Sequence, residues 1–164
     1  LWGEFEKQTF DQFELHAANA PNVNDNFAII ECFGMRFGLL ICFDLEFPEL
    51  CRILAVKGAQ CIIIPTALGG YHNKTTDQFP VCRAVENGVF IVNVNFPQPV
   101  FCGNSSITAP NGYKIAQAGN QEEQLLLATL DDNDPRYEKQ RKRNPYLRDR
   151  RPHLYQDLIK RAKL

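Results

Sequence analysis

Three short apolar runs, separated by two segments of helical pattern, constrain the fold of this chain more than any other feature. The runs are "FGLLIC" at 37–42, "CIIIP" at 61–65 and "VFIVNVNF" at 89–96. Continuous apolar runs of this length are typical of buried strands in an α/β domain. The stretch "FAIIECFGMRFGLLIC" at 27–42 predicts a hairpin-like strand pair, and we expect its second strand to be buried on both faces.

The segments between these runs have helix signals. "PELCRILAVKGA" opens with Pro48, which suits a first helical position, and Gly58 ends it. "TTDQFPVCRAVENG" predicts a second helix that ends at Gly88 despite Pro80. Alternation of strands and helices predicts a layered α/β domain.

The C-terminal part has a different pattern. The Asn-Gly dipeptide in "PNGYK" predicts a hairpin, and "QLLLATLD" at 124–131 predicts a further strand of a meander. The sequence turns polar from Asp132. We expect "RYEKQRKR" to be a solvated face or arm, and "NPYLRDRRPHLYQDL" to be an arm that ends in a short helix. That arm fits an interface and plain surface packing equally well.

Composition excludes several classes of protein. The 164 residues suffice for one domain with a sizeable core, and the net charge of −1 favours neither nucleic acid nor a membrane surface as partner. No apolar run approaches the ~20 residues that span a bilayer.

The abrupt start "LWGEFEKQTF" lacks the features of a signal peptide, and we expect the chain to be cut from a longer one.

Six cysteines lie mostly inside apolar segments and form no C-x-x-C pair. This favours free, buried thiols in a reducing, cytoplasmic compartment over a disulfide framework or a zinc site. Cys42 differs, because it lies where a strand passes into a helix. The unpaired N–H groups of a helix start favour a thiolate, and the N–H of Phe43 is placed to stabilise an oxyanion. The scattered histidines disfavour a papain-like cysteine–histidine pair.

The segment "GLLICFDLEFPELCR" resembles the nucleophile segment of the nitrilase, or carbon–nitrogen hydrolase, superfamily. The resemblance continues in family order at "IIIPTALGG", "CRAVENGVFIVNVN", "FCGNSSITAPNG" and "NPYLRDRRPHLY", and so covers nearly the whole chain. It implies a four-layer α-β-β-α sandwich, here incomplete at the N-terminus, with residues 1–131 in the hydrolase domain and 132–164 as its C-terminal arm. It also implies a homodimer or higher homo-oligomer.

The resemblance implies a Cys-Glu-Lys catalytic set without metal or organic cofactor, acting on a small-molecule amide, N-carbamoyl amine or nitrile. Cys42 matches the nucleophile, and Glu6 matches a second glutamate near the active site. The base glutamate and the lysine would lie before residue 1, so we expect very poor turnover by this chain alone. The alternative is a non-catalytic remnant or interaction module that retains part of the sandwich.

Other residues have supporting roles in this interpretation. The resemblance implies that Asp44 pairs with Arg83 and ties the nucleophile turn to the next helix. Glu49 is expected to cap the helix start. Thr66, Ala67 and Leu68 follow a strand and are expected to line the same mouth as Cys42, since ligands bind at the carboxyl ends of such strands.

The loop residues Tyr71 and His72 are weaker candidates for substrate contact, because a solvated loop is the alternative. Leu45 and Glu46 stand where relatives that hydrolyse N-carbamoyl amino acids carry two arginines. An apolar residue and an acid cannot grip a carboxylate, so Glu46 favours a neutral or amine-bearing substrate.

Overall fold

The computed structural model describes residue 27, residues 29–69 and residues 73–160 of the chain. These residues form a six-stranded sheet whose strand order follows the chain, from β1 to β6. The elements are β1 (Ile29–Cys32), β2 (Met35–Leu39), a 3₁₀ turn (Cys42–Glu46), α1 (Pro48–Val56), β3 (Cys61–Thr66), α2 (Asn73–Asn87), β4 (Phe90–Asn95), β5 (Ser106–Thr108), β6 (Lys114–Gln117), α3 (Pro135–Arg143) and two 3₁₀ turns (Pro152–Leu154 and Gln156–Ile159).

The centre of the sheet is parallel and its margins are antiparallel. β2 pairs with β3 and β3 with β4 in parallel, whereas β1–β2, β4–β5 and β5–β6 are antiparallel. Parallel neighbours need a crossover connection, which α1 and α2 provide. The predicted hairpins, both helices and all three apolar strands are therefore confirmed.

Local sequence explains where the two helices begin and end. Pro48 occupies the first turn of α1, where a missing N–H costs nothing. Gly58 (φ +97°) and Gly88 (φ +67°) follow the two helices in the left-handed conformation that ends helices. Pro80 lies within α2 and is fully buried.

One face of the sheet packs against α1 and α2. Its core includes Leu54 of α1, Ile62 and Ile64 of β3, and Ile91 of β4, none of which has accessible surface. Gly38 allows β2 to approach α1, because a Cβ at that position would lie 2.9 Å from Leu54 Cδ1. The helical layer is therefore packed directly against the strand that leads to Cys42.

The opposite face is only partly covered. Tyr137 of α3 packs edge-on against Phe90, with ring centroids 5.3 Å apart, in a cluster that also contains Met35 and Cys61. Towards the other end of the same strands, Leu39 is 50% exposed and Val94 is 49% exposed. The prediction that β2 is buried on both faces is therefore wrong, because the described helices α1 and α2 lie on one face only.

The C-terminal part follows its prediction in part. β5 and β6 form the predicted hairpin around Gly112 (φ +85°). Residues 124–131 do not form the predicted strand: Leu125 is 85% exposed, and no neighbouring strand in the described part of the chain provides a ladder for it. The basic segment is a helix, α3, and most of its residues are exposed, so the predicted solvated face is confirmed. Burial of Tyr137 fixes this helix to the sheet.

No helix in the described ranges is both long and apolar enough to cross a membrane. All six cysteines are free thiols.

Candidate active site

Cys42 lies at a sharp turn shortly after β2, which ends at Leu39. The ladder with β3 continues one residue beyond β2, since the Leu40 N–H donates to the Ile63 carbonyl at 3.1 Å. The chain then reverses at Cys42, whose φ angle of +50° is in the left-handed region. A non-glycine residue there costs about 1–3 kcal/mol and persists only where its surroundings enforce it. Cys42 itself is half-buried.

Residues 41–47 enforce this turn locally. The Asp44 carboxylate accepts a hydrogen bond from the Ile41 N–H at 2.9 Å, and the Asp44 N–H donates to the Ile41 carbonyl at 3.0 Å. The Leu45 side chain is fully buried in the helical core. The rings of Phe43 and Phe47 stack edge to face with centroids 5.0 Å apart. A cap, a buried anchor and a ring pair therefore hold the backbone on both sides of the thiol.

Arg83 of α2 fastens the turn to the helical layer. Its Nε donates to the Leu45 carbonyl at 3.1 Å, one terminal nitrogen donates to the Glu46 carbonyl at 3.0 Å, and the other contacts Glu86 Oε1 at 3.2 Å. The predicted pair between Arg83 and Asp44 is wrong, because the Asp44 carboxylate is directed at the Ile41 N–H instead. Arg83 nevertheless ties the turn to the next helix through the carbonyls.

The ends of β3 and β4 lie at the same edge of the sheet as Cys42, because β2, β3 and β4 are parallel. Thr66 is the last residue of β3, and its hydroxyl donates to the Val94 carbonyl at 3.0 Å. Ala67 is exposed, whereas Leu68 is buried. The structure thus brings Cys42 and residues 66–68 to one edge, as the sequence predicts; contact of residues 66–68 with substrate stays a prediction.

Asn95 is a residue of this edge that the sequence analysis missed. It ends β4 and is buried, and its amide binds both the N–H and the carbonyl of Leu68, at 2.9 Å and 3.2 Å. The available signal is the presence of asparagines inside the apolar run "VFIVNVNF". Most buried amides are hydrogen-bonded, so such an interruption points to a hydrogen-bonded site. The signal does not distinguish Asn95 from Asn93, which is also buried and has no such partner among the described residues.

The remaining predicted residues have clear positions or lie outside the described ranges. Glu49 is in the first turn of α1, where its charge suits the helix dipole, and Glu46 is half-buried at the end of the Cys42 turn. Phe43 is half-buried, and the oxyanion role of its N–H stays a prediction. Glu6, Tyr71 and His72 lie outside the described residues, and so do the predictions made for them.

Two other thiols are fully buried, whereas Cys42 is half-buried. Cys51 in α1 and Cys61 in β3 have no accessible surface, and burial raises the pKa of each to about 12. Such thiols stay protonated and unreactive at neutral pH. Cys82 in α2 is exposed. Among the described residues, no group of histidine, cysteine or acidic side chains has the arrangement of a metal site.

A cavity of about 340 Å³ lies at the other end of the sheet, beside Gly58 and Gly88. There the Asp132 carboxylate accepts a hydrogen bond from Gln60 Nε2 at 2.7 Å and pairs with Arg141, whose Nε donates to the Gly88 carbonyl. These charged groups satisfy each other and the helix ends. The cavity is remote from the thiol, so we place the candidate site at the Cys42 edge.

The sequence profile described as Carbon-nitrogen hydrolase matches residues 1–136, which is most of the chain. The chain belongs to the carbon–nitrogen hydrolase family. A protein named "Hydrolase in pqqF 5'region" from Pseudomonas protegens is 43% identical over 141 residues, covering 84% of this chain and 48% of that protein. Other matched proteins are named as amidases, nitrilases and N-carbamoylputrescine amidases. The chain spans about half the length of the curated relatives it matches.

Solved structures of carbon–nitrogen hydrolases share this fold. A carbon–nitrogen hydrolase from Helicobacter pylori aligns with a TM-score of 0.76 at 29% identity, covering 85% of this chain and 54% of that one. An amidase variant from Nesterenkonia sp. AN1 aligns with a TM-score of 0.70 at 32% identity, covering 83% and 49%, and its active-site cysteine carries the acetamide moiety of fluoroacetamide. The predicted nitrilase-type α/β fold class is therefore confirmed.

Proposed function

We propose that the protein hydrolyses a carbon–nitrogen bond of a small-molecule amide, N-carbamoyl amine or nitrile, with Cys42 as the nucleophile. The observation that carries the proposal is the position of Cys42 on a left-handed turn beside the ends of two further parallel strands. Membership of the carbon–nitrogen hydrolase family supports this reaction class. The cysteine adduct in the Nesterenkonia amidase variant supports a nucleophilic active-site cysteine in a relative.

In the proposed reaction on an amide, Cys42 Sγ attacks the carbonyl carbon while the thiol proton passes to the general base that the resemblance implies. The N–H of Phe43 stabilises the oxyanion of the tetrahedral intermediate. The carbon–nitrogen bond then breaks, and the amine leaves with the proton. Water attacks the thioester, the carbon–sulfur bond breaks, and the carboxylic acid leaves as the thiol is restored. Glu6 assists by positioning substrate or relaying protons.

Glu46 bears on which substrates are accepted. Its carbonyl is held by Arg83, so its backbone is fixed at the end of the Cys42 turn. Leu45 next to it is fully buried and has no access to a substrate. A carboxylate at position 46 repels an anionic substrate and attracts an amine. We propose a neutral or amine-bearing substrate, so E46Q should narrow the difference in kcat/KM between amine-bearing and carboxylate-bearing amides of equal length.

The nucleophile is tested by trapping and by substitution in the full-length protein. After incubation with fluoroacetamide, mass spectrometry of peptides should find the adduct on Cys42, and none on buried Cys51 or Cys61. C42A should lower amide or nitrile hydrolysis by at least about 10³-fold. The matched control is C82A, which removes an exposed thiol and should retain the activity of the unmodified protein.

The contrary outcomes identify the alternative. A C42A variant that keeps its hydrolytic activity would remove Cys42 from the mechanism. Full-length protein that remains unmodified at Cys42 and hydrolyses no carbon–nitrogen bond would indicate a non-catalytic member of the family.

A further inference from the structure

We infer that Asn95 is a positioning residue of the Cys42 site. It holds in place residues 67–69, which form one wall of the site, without touching substrate itself. The inference rests on the proposed function and deepens it. It starts from the last parallel pair of β3 and β4, in which Thr66 stands opposite Asn95. Beyond this pair the ladder ends, and the chain after β3 needs another partner for its peptide groups.

The Asn95 side chain provides that partner. The Leu68 N–H donates to Asn95 Oδ1 at 2.9 Å, and Asn95 Nδ2 donates to the Leu68 carbonyl at 3.2 Å. Because one contact needs an acceptor and the other a donor, the orientation of the amide is fixed by chemistry. The amide therefore continues the ladder by one step and holds residue 68 where a strand neighbour would hold it.

The same amide reaches the segment that follows β4. Nδ2 lies 3.0 Å from the Gly103 carbonyl and 3.3 Å from Cys102 Sγ. The Cys102 N–H in turn donates to the Leu68 carbonyl at 2.9 Å, and Gly69 forms a bridge with Phe101. Asn95 thus joins two loops that meet at this edge of the sheet.

The backbone of Asn95 is held as firmly as its side chain. The Asn95 N–H donates to the Ser105 hydroxyl at 2.9 Å, and that hydroxyl donates to the Asn95 carbonyl at 3.0 Å. The Thr76 hydroxyl of α2 lies 3.5 Å from Cys102 Sγ, which extends the network to the first turns of α2. Asn95 is 8% exposed, so these bonds are shielded from water.

The consequence concerns the shape of the site. Loops carry binding groups, and a displacement of about 1 Å in such a wall can change rates by up to ~10²-fold. N95D keeps the size of the side chain and the acceptor for Leu68, but it removes the N–H donors. It also places a negative charge against the Leu68 and Gly103 carbonyls. We expect the loops to separate in this variant while the Cys42 turn, held by Arg83, stays in place.

The test compares alkylation of Cys42 by iodoacetamide and by a bulkier N-substituted iodoacetamide in the full-length protein. N95D should change the ratio of the two rate constants by about tenfold. The matched control is N93A on the same strand, since Asn93 is 1% exposed and its amide has no hydrogen-bond partner among the described residues. That variant should leave the ratio within about twofold of the unmodified protein, although it perturbs an equally buried position.

A second measurement tests the anchor directly. In N95A, hydrogen exchange of the Leu68 amide should accelerate, while exchange of the Ile91 amide within β4 should not. An unchanged alkylation ratio in N95D, an equal change in N93A, or an unchanged Leu68 exchange rate would each overturn the inference while Cys42 remains reactive. In unmodified protein, Cys42 reacting no faster than Cys82 would overturn the proposed function itself.

Discussion

Both faces of the sheet present apolar side chains of the same strands, but the two faces are covered to different extents. On the helical face, Leu54, Ile62 and Ile91 have no accessible surface. On the opposite face, Phe90 and Tyr137 are buried, whereas Leu39 and Val94 at the other end are about half exposed. Among the described elements, α1 and α2 cover one face, whereas α3 covers only one end of the other face.

This contrast shows that an apolar run predicts a strand but does not predict how deeply its side chains are buried. A run such as "FGLLIC" indicates a strand, but burial of each side chain depends on a second element that the run does not encode. A partly uncovered apolar face marks an interaction surface or an aggregation liability. The following predictions test whether side chains on the two faces also differ in their contribution to the free energy of unfolding.

The largest effect is expected from L54A on the helical face. Removing a fully buried leucine should lower the free energy of unfolding by about 2–5 kcal/mol, because it deletes contacts and leaves a cavity. L39A, its matched control on the opposite face, should cost less than about 1.5 kcal/mol, because half of that side chain is already exposed. Urea denaturation measures both. Equal losses would show that the two faces are equally covered.

The second-largest effect is expected from R83A, because this substitution disconnects α2 on the helical face from the Cys42 turn. It leaves the carbonyls of Leu45 and Glu46 without their guanidinium donor, at a cost of about 2–3 kcal/mol. Lysine lacks the planar fork, so R83K should restore only part of the loss. Alkylation of Cys42 should slow in R83A, and R136A, at an exposed arginine of α3, is the control. Full stability in R83A would contradict the role of the fork.

Alkaline pH should destabilise both faces alike, since each contains one buried thiol. Burial raises the pKa of Cys51 and Cys61 from 9.0 to about 12. Their contribution to stability is complete below pH 9 and is lost as the pH rises towards 12, because the unfolded chain releases protons that the folded chain retains. Each thiol should lower the free energy of unfolding by about 1.4 kcal/mol per pH unit in this window.

Single-thiol variants assign this slope. C51A and C61A should each reduce it by one proton in urea denaturation at successive pH values, while C82A, which removes an exposed thiol, should not change it. A slope that is unchanged in C61A would mean that water reaches the second face.

The smallest effect is expected at the start of α3, which covers the end of the second face. The Asp134 carboxylate accepts a hydrogen bond from the Arg136 N–H at 2.8 Å, and hydrogen bonds from Arg136 lower the pKa of Asp134. D134A should accelerate hydrogen exchange at the Arg136 and Tyr137 amides without changing the global midpoint appreciably. Protonation should do the same as the pH falls below the ordinary range of a carboxyl group. Unchanged exchange would show that the cap is dispensable.

Much of the fold follows from signals within short segments. Pro48, Gly58 and Gly88 set the limits of α1 and α2, and the Asn-Gly turn predicts the β5–β6 hairpin. Residues 124–131 show where such signals fail. Their continuous apolar run suits a strand, but a strand forms only where a neighbour supplies the ladder.

The candidate site, like the fold, is predictable from the sequence only in part. The position of Cys42 follows from the order of strand and helix, because that order fixes which end of the sheet the junction occupies. The partners of Asp44 and Arg83 do not follow, because a carboxylate and a guanidinium on neighbouring elements satisfy their bonding in several ways. The role of Asn95 depends on a loop conformation that only the three-dimensional structure reveals.

The left-handed backbone at Cys42 affects which substitutions at this position would stabilise the chain. Glycine adopts a φ angle of +50° without steric strain, so a glycine there would relieve on the order of 1 kcal/mol. Variants screened for heat resistance alone would accumulate glycine at this position. Under the proposed function, variants screened for turnover would instead retain the sulfur, so selection for stability and selection for catalysis would oppose each other at this one residue.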